Sequence, residues 1–256
     1  MEIEKPRPIP FRENCYFYHT MSYPDGETIP GSWTMSGFDQ YIGGYDLRGK
    51  TVLDVGTASG YIAFNAERAG ATITGMDLDP AASEFRCVPF AGTEYFKNPD
   101  AWRKSFNETN IVKVKNSWWY SWHKFHSNAT VIYQPIGYLS ASDEMFDVVI
   151  AGALIMHLSD PVSAVAAFAK VARESLILSM THAEDTDEML MRPLTAWNDP
   201  AFWHGWWGIS RGLWRRIFAN LGFDVEFASS QAQHNAAEGP QVVTMPTIIA
   251  RRRVLP

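Results

Sequence analysis

The sequence predicts an α/β fold: a doubly wound, mostly parallel sheet of seven strands, with an N-terminal lid and an insertion after the second strand. Three observations predict it. Residues 51–77 read as strand, helix, strand in about 27 residues, which is the length of a short βαβ unit with a parallel strand pair. Apolar runs and helix-compatible stretches then keep alternating to residue 252. Hydrophobic residues make up 46% of the 256, enough to build a sizeable core in one domain.

The elements follow in order. Residues 1–45 are rich in proline, glycine and aromatic residues and show no period, so they are expected to form an extended arm or lid. The main domain is expected over 46–256. TVLDVG (51–56) is a short apolar run with a β-branched start, and it ends in glycine. Tyr61 to Ala69 is helix-compatible, with Gly70 as its stop, and ATITGMD (71–77) is the next strand. Residues 80–128 break the rhythm with Pro80, Pro89, Pro99 and the aromatic run NSWWYSWHKF, and are expected to be an insertion with helical pieces. TVIYQ (130–134) and FDVVIAG (146–152) are further strands. Asp160 followed by Pro161 is a cap and a first-turn proline ahead of VSAVAAFAKVA. ESLILSM (174–180) is a fifth strand. Ser210 can cap a helix that runs to Asn220 and stops at Gly222. FDVEFAS (223–229) and VVTMPTIIARR (242–252) close the sheet.

Composition narrows the function. The formal net charge is -6, which argues against a dedicated nucleic-acid binder and for a small-molecule partner. Cys15 and Cys87 stand far apart, so neither a zinc site nor a disulfide framework is expected. The start MEIEKPRPIPF has no apolar segment of the secretory kind, and no apolar run is long enough for a bilayer. A cytoplasmic protein is expected.

The stretch VLDVGTASGYIAF (52–64) carries the chemistry. A parallel strand delivers Asp54 and Gly56 to its carboxyl end, where open α/β sheets bind ligands. Gly56 and Gly60 let the turn pass close to a ligand, and the following helix offers free N–H groups. Asp77, at the end of the next strand, is placed to accept hydrogen bonds from ribose hydroxyls. A dinucleotide enzyme normally shows G-x-G-x-x-G, but here the turn is G-T-A-S-G without the middle glycine. A cofactor without a pyrophosphate fits better.

These residues resemble a known family. D-V-G-x-x-x-G followed by G-M-D-L-D is similar to the Rossmann-like class I S-adenosylmethionine-dependent methyltransferases, over roughly residues 46–252. The resemblance implies S-adenosylmethionine as cofactor. It places Asp54, Gly56, Thr57 and Gly60 against the methionine and ribose portions, and Asp77 and Leu78 against the ribose side. FDVVIAGALIMHLSDP resembles the segment that borders the methyl group, which adds Ala151 and Gly152. More narrowly, YHTM, PDG and PGSW within 18–33, NSWW at 116–119 and GALIMHLSDP are similar to a bacterial group related to tRNA wobble-uridine carboxymethyltransferases. Those relatives carry a tyrosine and an arginine where this chain has Met156 and Trp203, and these polar residues hold the extra carboxylate of their cofactor. The departure points to transfer of a methyl group to an oxygen or nitrogen of a small molecule. A tRNA-modifying alkyl transferase is the alternative, and a binding protein without catalysis is a third reading.

Methyl transfer from a sulfonium is an in-line displacement, so the protein mainly positions and desolvates the nucleophile. A hydroxyl acceptor benefits from a general base. His182, in the cluster THAED with Glu184 and Asp185 as partners, is favoured slightly over His157, with His19 and His204 behind them. A solvated loop would explain the His182 cluster, and a backbone hydrogen bond would explain His157. Tyr18, His19, Trp33, Trp119 and Trp206 are the expected acceptor contacts, since aromatic rings enclose flat or cationic groups. Core packing accounts for at least half of the 10 tryptophans.

Overall fold

A computed structural model describes residues 2–79, 94–179, 183–194, 205–237 and 239–254. In chain order the elements of the main layer are β1 (Trp33–Met35), β2 (Thr51–Val55), α1 (Tyr61–Arg68), β3 (Thr72–Asp77), α2 (Val112–Phe125), β4 (Thr130–Tyr133), β5 (Phe146–Gly152), α3 (Pro161–Val171), β6 (Ala172–Ser179), α4 (Arg211–Asn220), β7 (Phe223–Ala236) and β8 (Gly239–Arg252). The strands form one sheet in the order β1-β7-β8-β6-β5-β2-β3-β4. β2 pairs in parallel with β3 and β5, β3 with β4, and β5 with β6. β7 and β8 form an antiparallel hairpin, and β8 runs antiparallel to β6. The chain order reverses between β2 and β5, and that crevice at the strand carboxyl ends is where such sheets bind ligands.

The sheet has eight strands where the sequence predicts seven. The extra one is β1, three residues of the N-terminal arm, paired Trp33 to His234 and Met35 to Ala232 on the outer edge of β7. Three residues are too few to show a period-2 pattern, so no sequence signal marks this strand. The arm also reaches the opposite edge, where the Glu4 amide donates to the Val131 carbonyl of β4 at 2.9 Å. One segment thus reaches both edges of the sheet and pairs part of each.

Alternation along the strands builds two cores. On one face Leu53, Val55, Met76 and Val149 pack under α3 and α4, where Phe168, Trp214 and Phe218 are fully buried. On the other, Val52, Ile73, Val148 and Ile150 pack under α1, α2 and the arm residues Phe17, Met21 and Tyr41. The aromatic run 116–125 lies in α2, and its Trp118 and Trp119 are core residues. Caps fix the helix ends. Asp160 accepts the Ser163 amide at 3.1 Å, with Pro161 at the first helical position. The Arg252 guanidinium donates to the carbonyls of Ala169 and Ala172 at 2.6 and 2.7 Å and closes the far end of α3. Ser210 accepts the Leu213 amide and starts α4. A small separate sheet joins Met191–Pro193, Trp207–Ser210 and Ala183–Glu184 as a flap.

Replacing the cap of α3 tests this assignment. Asp160→Ala should lower unfolding stability by about 1 kcal/mol, and Asp160→Asn by much less, since asparagine also accepts the N3 amide. Denaturant unfolding at neutral pH measures both, and equal losses would remove the cap from the account.

Candidate functional site

The turn after β2 is held down by one carbonyl. The amides of Gly56 and Thr57 both donate to the Met76 carbonyl, at 2.8 and 3.1 Å. The Ala58 amide donates to one Asp77 carboxylate oxygen at 2.8 Å, and the Leu78 amide donates to the other at 2.8 Å. Gly60 donates to the Thr57 carbonyl at 2.7 Å, and the Trp118 indole N–H donates to the Thr57 hydroxyl at 3.2 Å. The chain is left-handed at Gly56, Ala58 and Gly60. At Gly60 a Cβ would stand 2.1 Å from the Phe64 ring, so only glycine fits without a shift. The amides at 56, 57, 58 and 60 therefore bond within the protein. The free N–H groups that the sequence leads one to expect belong to the start of the following helix, Tyr61–Arg68, and the turn before it approaches the crevice with these four amides already bonded.

Two carboxylates sit under this turn. Asp54 is fully buried, and neither of its oxygens has a hydrogen-bond partner among the described residues. Burial pushes its carboxyl up to about 7 and the Asp77 charge adds to this, while the Thr57 hydroxyl and the Ala63 amide, close by but outside hydrogen-bond geometry, offset part. Asp77 is also raised by burial, while the Leu78 and Ala58 amides and the Lys115 ammonium pull it down. Lys115 of α2 is only 8% exposed. Its ammonium lies 3.3 Å from the centre of the Tyr133 ring, and Tyr133 is the residue paired with Asp77 across β3 and β4.

The other wall begins at the end of β5. Gly152 lets the Tyr41 ring of the arm come close, since a Cβ there would stand 2.5 Å from the Tyr41 hydroxyl. Ala151 is buried beside it. The chain then turns through Ala153, left-handed at φ 50°, into the helical turn Ile155–His157. Leu154 leans over Gly56. His157 ends the turn, partly exposed, and the flap is tied on beside it. The Trp206 amide donates to the Met156 carbonyl at 2.8 Å, and the Trp207 indole donates to the Ser159 carbonyl at 3.0 Å.

The arm forms the roof. The His19 amide donates to the Ser59 hydroxyl at 3.3 Å, and its imidazole lies 5.2 Å from the Tyr61 ring and 5.0 Å from Tyr18. Trp33 stacks at 4.6 Å on His234 of β7. Burial raises the Tyr18 hydroxyl above its ordinary value. Of the expected acceptor contacts, Tyr18, His19 and Trp33 are thus together in the arm, and Trp206 is on the flap. Trp119 is 2% exposed and packs edge-on against Trp118 and Trp122 in the core. His182, Trp203, His204 and the side chain of Glu184 lie outside the described residues. Tyr41, Ser59, Tyr61, Leu154 and Lys115 line the site without any sequence signal, because they reach it only through the packing of arm and helices on the turn.

Comparison with known proteins adds the family. The methyltransferase-domain family, defined by its sequence profile, matches residues 35–227. No curated protein sequence matches the chain. Similar solved structures include the N-terminal domain of EvdMO1 in the presence of SAH and D-fucose, 14% identical with a TM-score of 0.53 over 94% of each chain. Another is magnesium protoporphyrin IX methyltransferase from Synechocystis with bound SAH, 16% identical with a TM-score of 0.48 over 81% of this chain and 76% of that one.

The buried Asp54 makes stability depend on pH. Its folded value of about 7 lies above the ordinary carboxylate value of about 3.9. Below about pH 4 both folded and unfolded chains hold the proton, so nothing is lost. Between about pH 4 and 7 the unfolded chain ionises while the folded one keeps its proton, and stability falls as pH rises. Above about 7 the loss is complete. Asp54→Asn should remove a slope on the order of 1 kcal/mol per pH unit in that window. Denaturant unfolding without cofactor measures it, and an unchanged slope in the variant would show that Asp54 does not titrate there.

Proposed function

This chain belongs to the methyltransferase-domain family, and we propose that it methylates an oxygen or nitrogen of a small molecule. It is an S-adenosylmethionine-dependent methyltransferase. The observation that carries the site assignment is the pair of carboxylates under one glycine turn. Asp54 offers an unpartnered buried charge to the ammonium of the cofactor's methionine portion. Each Asp77 oxygen accepts one amide and keeps a further lone pair for a ribose hydroxyl. Gly56, Thr57 and Gly60 would pass the cofactor closely, Leu78 would flank its ribose side, and Ala151 and Gly152 would border the methyl group. A dinucleotide fits poorly, because Ala58 stands at the middle-glycine position and its amide is bonded to Asp77.

When bound, the cofactor supplies a methyl group activated by a sulfonium. The protein's share is placement, desolvation and proton handling. Tyr18 and Trp33 of the arm and Trp206 of the flap would enclose the acceptor. His157, at the end of β5 and beside the flap, is the described histidine placed to take a proton from a hydroxyl acceptor. His182 and Glu184 keep the role that the sequence gives them. The carboxymethyl reading loses an anchor at Met156, which is apolar and 6% exposed.

Two measurements test the reading. Asp77→Ala should weaken binding of S-adenosylhomocysteine by about 1.5–3 kcal/mol, roughly ten- to hundredfold, while NAD binds neither protein. Unchanged calorimetric affinity in the variant would defeat the ribose assignment. Methyl-labelled S-adenosylmethionine should pass its label to small hydroxyl- or amine-bearing molecules in a metabolite mixture, and label recovered on bulk tRNA instead would overturn the acceptor class.

A further inference from the structure

Asp54 is not the only unpartnered polar group beside the glycine turn. The Nδ1 atom of His19 is also buried and has no hydrogen-bond partner among the described residues. The position of His19 is built by several contacts. Its amide bonds to Ser59, which is fully buried in the turn. Its ring lies against Tyr61, the first residue of α1. Gly31 lets the arm double back at this point, since a Cβ there would stand 2.2 Å from the His19 carbonyl carbon. A buried nitrogen without a partner costs stability unless something completes it. Here an imidazole from the arm and a carboxylate from β2 flank the same eight-residue turn, 54–61.

The two groups have complementary chemistry. Asp54 can only accept when ionised, so it calls for a cationic donor. A neutral imidazole with its proton on Nδ1 is a donor, so it calls for an acceptor. An α-amino acid head, with ammonium and carboxylate one carbon apart, supplies both. We propose that His19 donates from Nδ1 to the carboxylate of the cofactor's amino-acid head, opposite Asp54, so that the arm recognises the donor molecule and not the acceptor. This rests on the cofactor reading above, and it moves His19 from the acceptor contacts to the cofactor contacts. Burial holds the His19 imidazole down to about 4, so the ring is neutral at neutral pH. The groups that face it are the Tyr18 and Tyr61 rings and the Ser59 hydroxyl, none of which carries a charge at that pH. A ring with so low a value is a weak general base, whereas hydrogen-bond donation needs only the neutral form.

Ligand truncation separates this role from packing. Methylthioadenosine keeps the adenosine and the thioether of S-adenosylhomocysteine but lacks the amino-acid head. The variants are His19→Ala and His19→Phe, the second keeping a ring against Tyr61 and Tyr18. Calorimetry on the full chain should show S-adenosylhomocysteine weakened roughly ten- to hundredfold in both, the loss of a hydrogen bond to a charged group, with methylthioadenosine binding unchanged. In the wild-type protein the His19 imidazole, followed by NMR, should titrate at higher pH with S-adenosylhomocysteine bound than with methylthioadenosine bound. If His19→Phe keeps the wild-type ratio of the two affinities, or weakens both ligands equally, His19 does not read the head. If the wild-type protein binds neither ligand, the cofactor reading itself fails, and this inference falls with it.

Discussion

The Met76 carbonyl accepts two amides from the turn after β2, and the rest of the site depends on that closure. It folds residues 56–58 down onto β3. Ala58 then lies against Asp77, and Asp54 is sealed beneath. The turn amides of 56, 57, 58 and 60 bond within the protein, so they are not free to cradle a phosphate as such loops do. Side-chain charge is what the turn brings to a ligand instead. Burial raises both carboxyls, and the Asp77 charge raises Asp54 further. Lys115 is the counterweight on the Asp77 side, itself pushed down to about 8 by burial. The site therefore carries an electrostatic strain that a cationic, hydroxyl-rich ligand relieves, and affinity and pH dependence have one origin.

The N-terminal arm belongs to the domain's architecture as much as to its site. Phe17, Met21, Tyr23 and Ile29 are buried and share a core with β2, β5 and α2. Tyr41 fills the space that Gly152 leaves, and its backbone carbonyl accepts the hydroxyls of Ser179 and Thr247. An arm packed this way does not swing off as a lid without exposing apolar surface. The flap of residues 191–193 and 207–210 is different. Its sheet is short, and Met189, Leu190 and Met191 at its rim are exposed. Its inner strand is held, with Ile209 2% exposed in the core under α3 and α4 and hydrogen bonds from Trp206 and Trp207 to the turn after β5, so the loosely packed part is the rim.

The main layer was legible in the sequence because each of its elements carries a local signal. The βαβ unit at 51–77 shows apolar period and glycine stops, and the caps at Asp160 and Ser210 are followed by helices in the structure. Gly56 and Gly60 were legible because the turn is left-handed at both, and Asp54 and Asp77 because each ends or nearly ends a strand of the βαβ unit beside it. The arm was not. β1 is three residues long and gains its meaning only from pairing with a strand some 200 positions later. Of the aromatic run 116–125 the sequence offered Trp119 as an acceptor contact, yet helix period turns Trp118 and Trp119 inward, where the Trp118 indole bonds to Thr57. The burial of His19 and Lys115 could not be read either, since it arises from segments far apart in sequence meeting over one turn.

The surface charge bears on the choice of acceptor. The basic clusters at 211–216 and 251–253 lie on one helix and at the end of the last strand. In the structure Arg211 pairs with Asp185 and Arg215 with Asp187. Arg253 pairs with Asp224 at 2.7 Å, Arg173 with Asp147 at 3.4 Å and Lys50 with Glu174 at 2.7 Å. Arg252 is turned inward onto the end of α3. Exposed pairs of this kind add little stability, but each one cancels a field that would otherwise extend about a Debye length, roughly 8 Å at physiological salt. Nucleic-acid affinity comes largely from cations that neutralise phosphates and release counterions. Cations already neutralised by carboxylates must first break those pairs, and a net charge of -6 opposes the approach. The small acceptor proposed above meets none of this cost.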